Sequence, residues 1–321
     1  MDLQEKKEIA LKSMIKAYEQ LEEYELESIS IKIDKDKFNN NINNLLKITD
    51  SKIGGYFYIP KSVSDIPKGI NGNPLMLLAQ LNLSDLPENI FPLDKGIIQI
   101  FIDLEDDCYG LDFENPTNGS SGHKVVYYEN ILGEEEYLSR QELDELFKKE
   151  YLEDEEDDDW NQDNYYSYWE CSPINMGELP LLFSVITNKL SCCDNKVEEL
   201  FIKNWNKLCP DIQITSNYYQ ELPQEVTYMF YDTFNLFSDN SGHKMLGYPC
   251  FVQSDPRGYM SNGKDYNILL FQLDSELSTW HKVEQKYDIC WGDAGICNFF
   301  IKESDLKNKD FSNVLYNWDC S

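Results

Sequence analysis

The chain opens on a helical period. Leu11, Met14, Ile15, Tyr18 and Leu21 recur at i, i+3, i+4 and i+7 spacing, with Lys and Glu between them. This predicts an amphipathic helix within the first 25 residues. The period then drops to two: SISIKID alternates apolar and polar residues and predicts a strand. LMLLAQL from Leu75 and GIIQIFIDL from Gly96 are short, continuous apolar runs bounded by turn residues, and predict well-buried strands. KVVYYE at Lys124 predicts a third. Ser139-x-x-Glu142 precedes Leu143, Leu146 and Phe147, a capping box opening a short helix. Asp194 is placed to cap a further helix carrying Val197, Leu200, Phe201, Trp205 and Leu208, stopped by Cys209-Pro210. Strands return at NILLFQLD from Asn267 and ICNFFIK from Ile296.

Two of these later runs repeat two earlier ones in register. Gly55-Tyr56 and Gly247-Tyr248 are 192 positions apart, as are Gln80/Gln272, Leu77/Leu269, Leu78/Leu270 and Leu81/Leu273. Past a seven-residue insertion, Gly96-Ile97 and Gly295-Ile296 are 199 apart, as are Phe101 and Phe300. One offset held across separated segments is read as an internal duplication. Ser-Gly-His-Lys also occurs twice, at His123 and His243, but these copies are 120 apart. In the duplicated frame His243 falls opposite Ser51, so the two copies are not equivalent positions. Each is read as a turn entering a strand.

Composition narrows the class. A 321-residue chain that is 41% hydrophobic and 13% aromatic can bury a full core, and its 21 Tyr and 16 Phe favour strands. No run approaches the ~20 apolar residues needed to span a bilayer. The N-terminal segment has no apolar stretch of the secretory kind, so the expected compartment is the cytoplasm. The nine cysteines are odd in number, include the adjacent Cys192 and Cys193, and form no Cys-x-x-Cys. Neither a disulfide framework nor a zinc site is expected.

Charge changes the picture most. With 28 basic and 58 acidic residues the net charge is −30. Such a chain repels phosphate backbones, so nucleic acid is not an expected partner, whereas a basic protein would be attracted at long range. The densest tract, Glu153, Asp154, Glu155, Glu156, Asp157, Asp158 and Asp159, is expected to form a solvated loop or insertion.

Candidate chemistry is sparse. His243 lies near Ser241 and Cys250, and His123 near Ser121, but no nucleophile elbow accompanies either. Asp103, Glu105, Asp107 and Glu114 fall at positions 1, 3, 5 and 12 of a calcium-type loop, with Cys108 where the turn needs Gly. The glycine loops GINGNP and WGDAGIC lack a Walker Lys and dinucleotide spacing. No catalytic residue, metal or cofactor is therefore expected. In CWGDAGICNFF, Trp291 reads as core at a tight corner, with Asp293 available to bond turn amides or to face a ligand groove. Gln80 and Gln272 interrupt apolar strands, and each needs partners for a buried amide.

The stretches SKIGGYFYIP, NPLMLLAQLNLSDLP, KGIIQIFID, HKMLGYPCFVQSD, ILLFQLDS, WGDAGICNFFI and FSNVLYNWDC, spanning about Ser51 to Cys320, resemble the YwqG-like family of bacterial proteins of unknown function. The resemblance implies an α+β fold with an internal duplication and supplies no reaction. Phe57 stands where the family usually has Pro, and the acidic tract looks like a local elaboration.

The expected architecture is α+β and β-rich: two related halves from an internal duplication, with a few packing helices. The expected parts, within one compact unit, are 1–50 (helix and leading strand), 51–133 (first half), 134–175 (helix plus acidic linker or insertion) and 176–321 (second half). The expected function is a non-enzymatic, acidic cytoplasmic interaction module, immunity- or antitoxin-like, that docks a basic protein through the acidic tract. The alternative is an enzyme or small-ligand binder at the seam between halves, using Asp293, Trp291, Gln272, Gln80 and His243.

Overall fold

In this computed structural model the described residues are 1–40, 46–63, 65–69, 72–104, 107–117, 122–151, 172–174, 177–190, 195–235, 240–277 and 289–321. The chain divides into two compact units. One is helical and comprises Met1–Ser28, Ile186–Ser241 and Gly247–Cys250; the other comprises Ile29–Val185, Gly242–Leu246 and Phe251–Ser321.

The larger unit is built on one antiparallel sheet. The strands are β1 (Leu26–Ile33, of which residues 29–33 belong to this unit), β2 (Lys52–Ile53), β3 (Met76–Asn82), β4 (Ile97–Ile102), β5 (His123–Tyr128), β6 (Leu179–Asn188, of which residues 179–185 belong to this unit), β7 (His243–Leu246), β8 (Ile268–Asp274), β9 (Ile296–Ile301) and β10 (Leu315–Asp319). Their order is β10-β9-β8-β7-β1-β6-β2-β3-β4-β5. The apolar runs read from sequence are β3, β4, β8 and β9. β4 and β9 are buried at every position, which is why they are continuous apolar runs and not alternating ones.

The sheet nearly closes on itself. His123, which opens β5, donates from Nε2 to the Val314 carbonyl at 2.8 Å, and the Tyr316 amide of β10 donates to the Pro116 carbonyl at 2.9 Å. These bonds tie the start of β5 to the residue just before β10, and β10 to the segment that precedes β5. The interior holds Phe57, Phe101, Phe147, Phe271, Phe299, Trp291 and Tyr316, with Phe299 and Tyr316 stacked at 4.6 Å.

Two registers match position for position. Gln80 pairs with Gln99 across β3·β4, and Gln272 pairs with Asn298 across β8·β9. The β3 ladder is broken by a bulge between Leu77 and Ala79, and the β8 ladder between Leu269 and Phe271, 192 positions later. Lys52 of β2 pairs with Gln80, and Lys244 of β7 with Gln272. Two left-handed residues close each of these leading strands: Gly54 (φ 62°) and Gly55 (φ 78°) directly after β2, then Leu246 (φ 62°), the last residue of β7, and Gly247 (φ 69°). Glycine suits such a turn; Leu246 adopts it against its own preference.

Strand order does not follow chain order. β2 lies between β6 and β3, and β7 between β1 and β8. The runs β2-β3-β4-β5 and β10-β9-β8-β7 therefore each meet, at their inner edge, a strand from outside the run: β6 for the first and β1 for the second.

Several helices fulfil their sequence signals. In α3 (Arg140–Tyr151) the Ser139 amide donates to Glu142 Oε2 at 2.8 Å and the Glu142 amide to Ser139 Oγ at 3.3 Å. That is the reciprocal capping box. α2 (Lys35–Asn40) follows β1 and α7 (Glu303–Lys307) follows β9.

The smaller unit packs α1 (Leu3–Gln20) against α4 (Asn195–Leu208) and α6 (Gln224–Asn235), with α5 (Tyr218–Glu221) between the last two. Val197, Leu200, Phe201 and Trp205 of α4 are buried, while Leu208 is only partly so. The face of α1 differs from the periodic expectation. Ala10, Ser13, Met14, Ala17 and Leu21 are inside, while Leu11 and Ile15 are 42% and 48% exposed. Small side chains let α1 approach its neighbours closely, and that outweighs the larger apolar residues one position along. Trp205 closes this core, its Nε1 donating to the Ile212 carbonyl at 2.8 Å.

Candidate functional site

The polar residues of the sheet are gathered into rows. In the first half Lys52, Gln80 and Gln99 lie directly opposite one another on β2, β3 and β4, all essentially buried. Opposite residues in an antiparallel sheet share a face, so the three form one polar row. Gln80 is fully used: its Oε1 accepts from the Tyr58 amide (2.8 Å) and from Gln99 Nε2 (2.9 Å). Its Nε2 donates to the carbonyls of Ile48 (2.7 Å) and Asp50 (2.9 Å). Gln99 Nε2 also donates to Tyr58 O at 2.7 Å. Gln80 therefore ties β3 to two neighbouring segments of backbone.

The row ends in a buried ionic cluster. Lys52 is fully buried, its Nζ donating to the Lys47 carbonyl at 2.8 Å and lying 3.5 Å from Glu178 Oε1. Burial lowers the Lys52 pKa to about 8, with Glu178 offsetting part of the shift. Glu178 also receives Arg140 Nη2, at 2.8 and 3.0 Å to its two oxygens. Arg140, at the N-terminus of α3, lies 4.9 Å over the Tyr56 ring and donates to the Leu46 carbonyl. The Tyr56 hydroxyl donates to Asp144; burial, then this bond, raises the Tyr56 pKa. Arg140 Nη1 is buried with no hydrogen-bond partner. Glu178 sits at φ 59°, and a Cβ on Gly55 would meet its Cγ at 2.1 Å, so only glycine fits beside this carboxylate. Chemically the cluster is two cations sharing one carboxylate, with one guanidinium N–H pair still able to donate to an anionic group.

In the second half Lys244, Gln272, Asn298 and Asn317 form the matching row on β7 to β10. Gln272 Nε2 donates to the Gly242 carbonyl at 2.7 Å. His243, one residue before Lys244, is locked at both ring nitrogens. Nδ1 accepts from the Asp274 amide at 3.1 Å, so Nε2 carries the proton and faces Glu276 Oε2 at 3.2 Å. Glu276 also pairs with Lys35 at 3.0 Å. Burial raises the Glu276 pKa, but the bonds to His243 and Lys35 outweigh it and bring it to about 2. His123 likewise spends its Nε2 proton on Val314. Neither histidine is posed as a general base.

The remaining candidates separate. Trp291 is fully buried, edge-on to Tyr109 at 5.4 Å, its amide donating to Ser275 Oγ at 3.0 Å. Asp293, two residues on, is exposed; its carbonyl accepts from Ser321 Oγ at 3.2 Å. Glu153–Asp159, Asp194, Glu105 and Ser121 lie outside the described residues. Asp103 of the calcium-type loop is buried and Asp107 exposed, and among the described residues no group of three His, Cys, Asp or Glu is arranged to hold a metal.

Sequence reasoning missed Lys52, Lys244, Arg140, Glu178, Tyr56 and Asp144. Lys52 and Lys244 could have been found, because they stand at the same 192-residue offset as Gln80 and Gln272. Arg140 and Glu178 carry no such mark; only tertiary folding brings them to Lys52.

A nearly closed antiparallel sheet with buried polar rows defines a β-rich protein with a few helices. Residues 51–320 match the family described as Domain of unknown function (DUF1963), and the chain belongs to that family. No curated protein matches it. No helix among the described residues is long and apolar enough to cross a membrane.

Proposed function

We propose that this protein is a YwqG-like, non-enzymatic module of the bacterial cytoplasm whose acidic surface docks a basic protein, in the manner of an immunity or antitoxin protein. The observation that supports it is the −30 net charge together with where the cations sit. Lys52 and Lys244 are buried, and the chain's two arginines are both held by carboxylates: Arg140 by Glu178, and Arg257 by Asp255 at 2.6 Å. These four cations are thus drawn inward or neutralised, and with a net charge of −30 a negative surface speeds encounter with a basic partner. The test is capture by the tagged protein from native cells at low and then high salt. A stoichiometric basic partner released by salt supports the reading, and replacing Glu153–Asp159 with Ser/Gly should weaken its binding. An empty eluate would overturn it.

The same reading takes the two halves, 51–133 and 176–321, as products of one duplicated ancestor. Matched bulges, matched left-handed turns and the Lys52/Lys244 correspondence support it.

One observation favours a second reading, a small-ligand binder. Arg140 Nη1, buried and without a bond beside Lys52, suits an anionic ligand group. A panel of carboxylated and phosphorylated small molecules should then contain one that raises the melting temperature of the protein and not of Arg140→Lys. Equal shifts in both, or none, would remove this reading.

A further inference from the structure

Cys290 and Cys320 are both free and partly exposed. They converge on one residue, Gly292. Cys290 Sγ lies 3.3 Å from the Gly292 carbonyl oxygen. Cys320 Sγ lies 3.0 Å from where a Cβ on Gly292 would stand. A Cβ at 292 would press on the Cys320 thiol and equally on the Trp318 ring, whose Cζ3 lies at 3.0 Å, and Gly292 itself is left-handed at φ 52°. The corner is otherwise firmly held: the Cys290 amide donates to Pro173 O at 2.7 Å, and the Gly295 amide to Trp291 O at 2.7 Å. Cys320 directly follows β10, whose Asp319 accepts the amides of Val252 (3.1 Å) and Gln253 (2.9 Å). Rigid backbone thus holds both thiols against Gly292, Cys290 at its carbonyl oxygen and Cys320 at its Cα face.

We propose that Cys290 and Cys320 form a peroxide-oxidisable dithiol site, closing a disulfide over Gly292. One thiolate attacks hydrogen peroxide, giving a sulfenic acid and hydroxide. The second thiolate attacks that sulfur, forming the S–S bond and expelling hydroxide, which takes up the thiol proton as water. In sum, two thiols and one peroxide give one disulfide and two waters. The bond would fasten the end of β10 to the corner that opens β9.

The probe is hydrogen peroxide on the folded full-length chain, followed by alkylation and peptide mapping by mass spectrometry. The expected product is one peptide pair linking Cys290 to Cys320, cleaved by dithiothreitol. Oxidation should also raise the melting temperature. In Cys290→Ser the linked pair and the melting shift should both disappear, while the unoxidised melting temperature stays near that of the parent. Linkage of Cys320 to Cys108, whose carbonyl accepts from the neighbouring Trp318 indole, would overturn the assignment. So would oxidation of either thiol to sulfinic acid without a cross-link. Repeating the oxidation in urea provides the control: if the same pair forms there at equal yield, the fold does not direct it.

Discussion

His123 shows how one side chain can tie pH to stability. It is buried between β5 and β10, its ring 5.3 Å from Tyr316 and its Nε2 bonded to Val314. Burial lowers its pKa to about 4, with the Val314 bond and Asp112 opposing only in part. An unfolded histidine takes its proton near 6.5, so between that pH and about 4 the unfolded chain binds a proton that the folded chain refuses. Stability is therefore whole above pH 6.5 and falls as pH drops through this window, by on the order of 3 kcal/mol for this one group. Urea midpoints at pH 7 and pH 4.5 should show a smaller drop for His123→Gln than for the parent. Identical drops would mean that His123 does not titrate with unfolding. Gly55 makes a steric counterpart. Its φ of 78° and the 2.1 Å clash with Glu178 that a Cβ would bring predict that Gly55→Ala lowers stability by well over ~1 kcal/mol. Gly72→Ala, with φ 86° and nothing within 4 Å, should cost only the backbone term of about 1 kcal/mol. Melting temperatures of the pair check the difference.

At the scale of elements, α1 gives the sharpest test of what buries a helix. Ala17 is fully buried, whereas Leu11 is 42% exposed. Ala17→Leu should then destabilise the helical unit by about 1–3 kcal/mol through overpacking, and Leu11→Ala should change stability by less than about 0.5 kcal/mol. Thermal melts followed by circular dichroism decide it; the reverse ranking would restore the face that periodicity suggests. The contrast explains what was legible in the sequence. Continuous apolar runs announce β3, β4, β8 and β9 because those strands are covered on both faces. Capping residues announce α3 for the same local reason. The strand β6 is not announced. It carries Pro180 near its start, and Leu182, Val185 and Ile186 are exposed, so neither alternation nor a buried run marks it. β10 hides behind the polar Asn317 and Asp319; Asp319 is met by the amides of Val252 and Gln253, a partnership that only tertiary folding supplies. The Lys52 cluster was half legible: the offset of the repeat marks the lysines, but no local pattern marks Arg140 or Glu178.

For the whole molecule, the strand order sets a folding constraint. A chain ending at residue 151 contains β1 to β5 but lacks β6, which pairs with β2 through Lys52/Pro180 and Ile53/Leu179. A chain starting at residue 172 contains β6 to β10 but lacks β1, the neighbour of β7. It also lacks α1, against which α4 and α6 pack. Each fragment would expose an unpaired ladder and an uncovered apolar core, the ordinary recipe for aggregation. Neither should fold alone, although each holds a full four-strand set. Mixed, they can restore every pairing, because the cut falls between β5 and β6 and breaks no strand. We therefore expect fragments 1–151 and 172–321, refolded together, to elute as a 1:1 complex with one cooperative melt, and each alone to aggregate or show no melt. A cooperative transition in either isolated fragment would show that its four strands suffice without the borrowed one. In that case the two halves would be independent folding units and not one sheet divided between them.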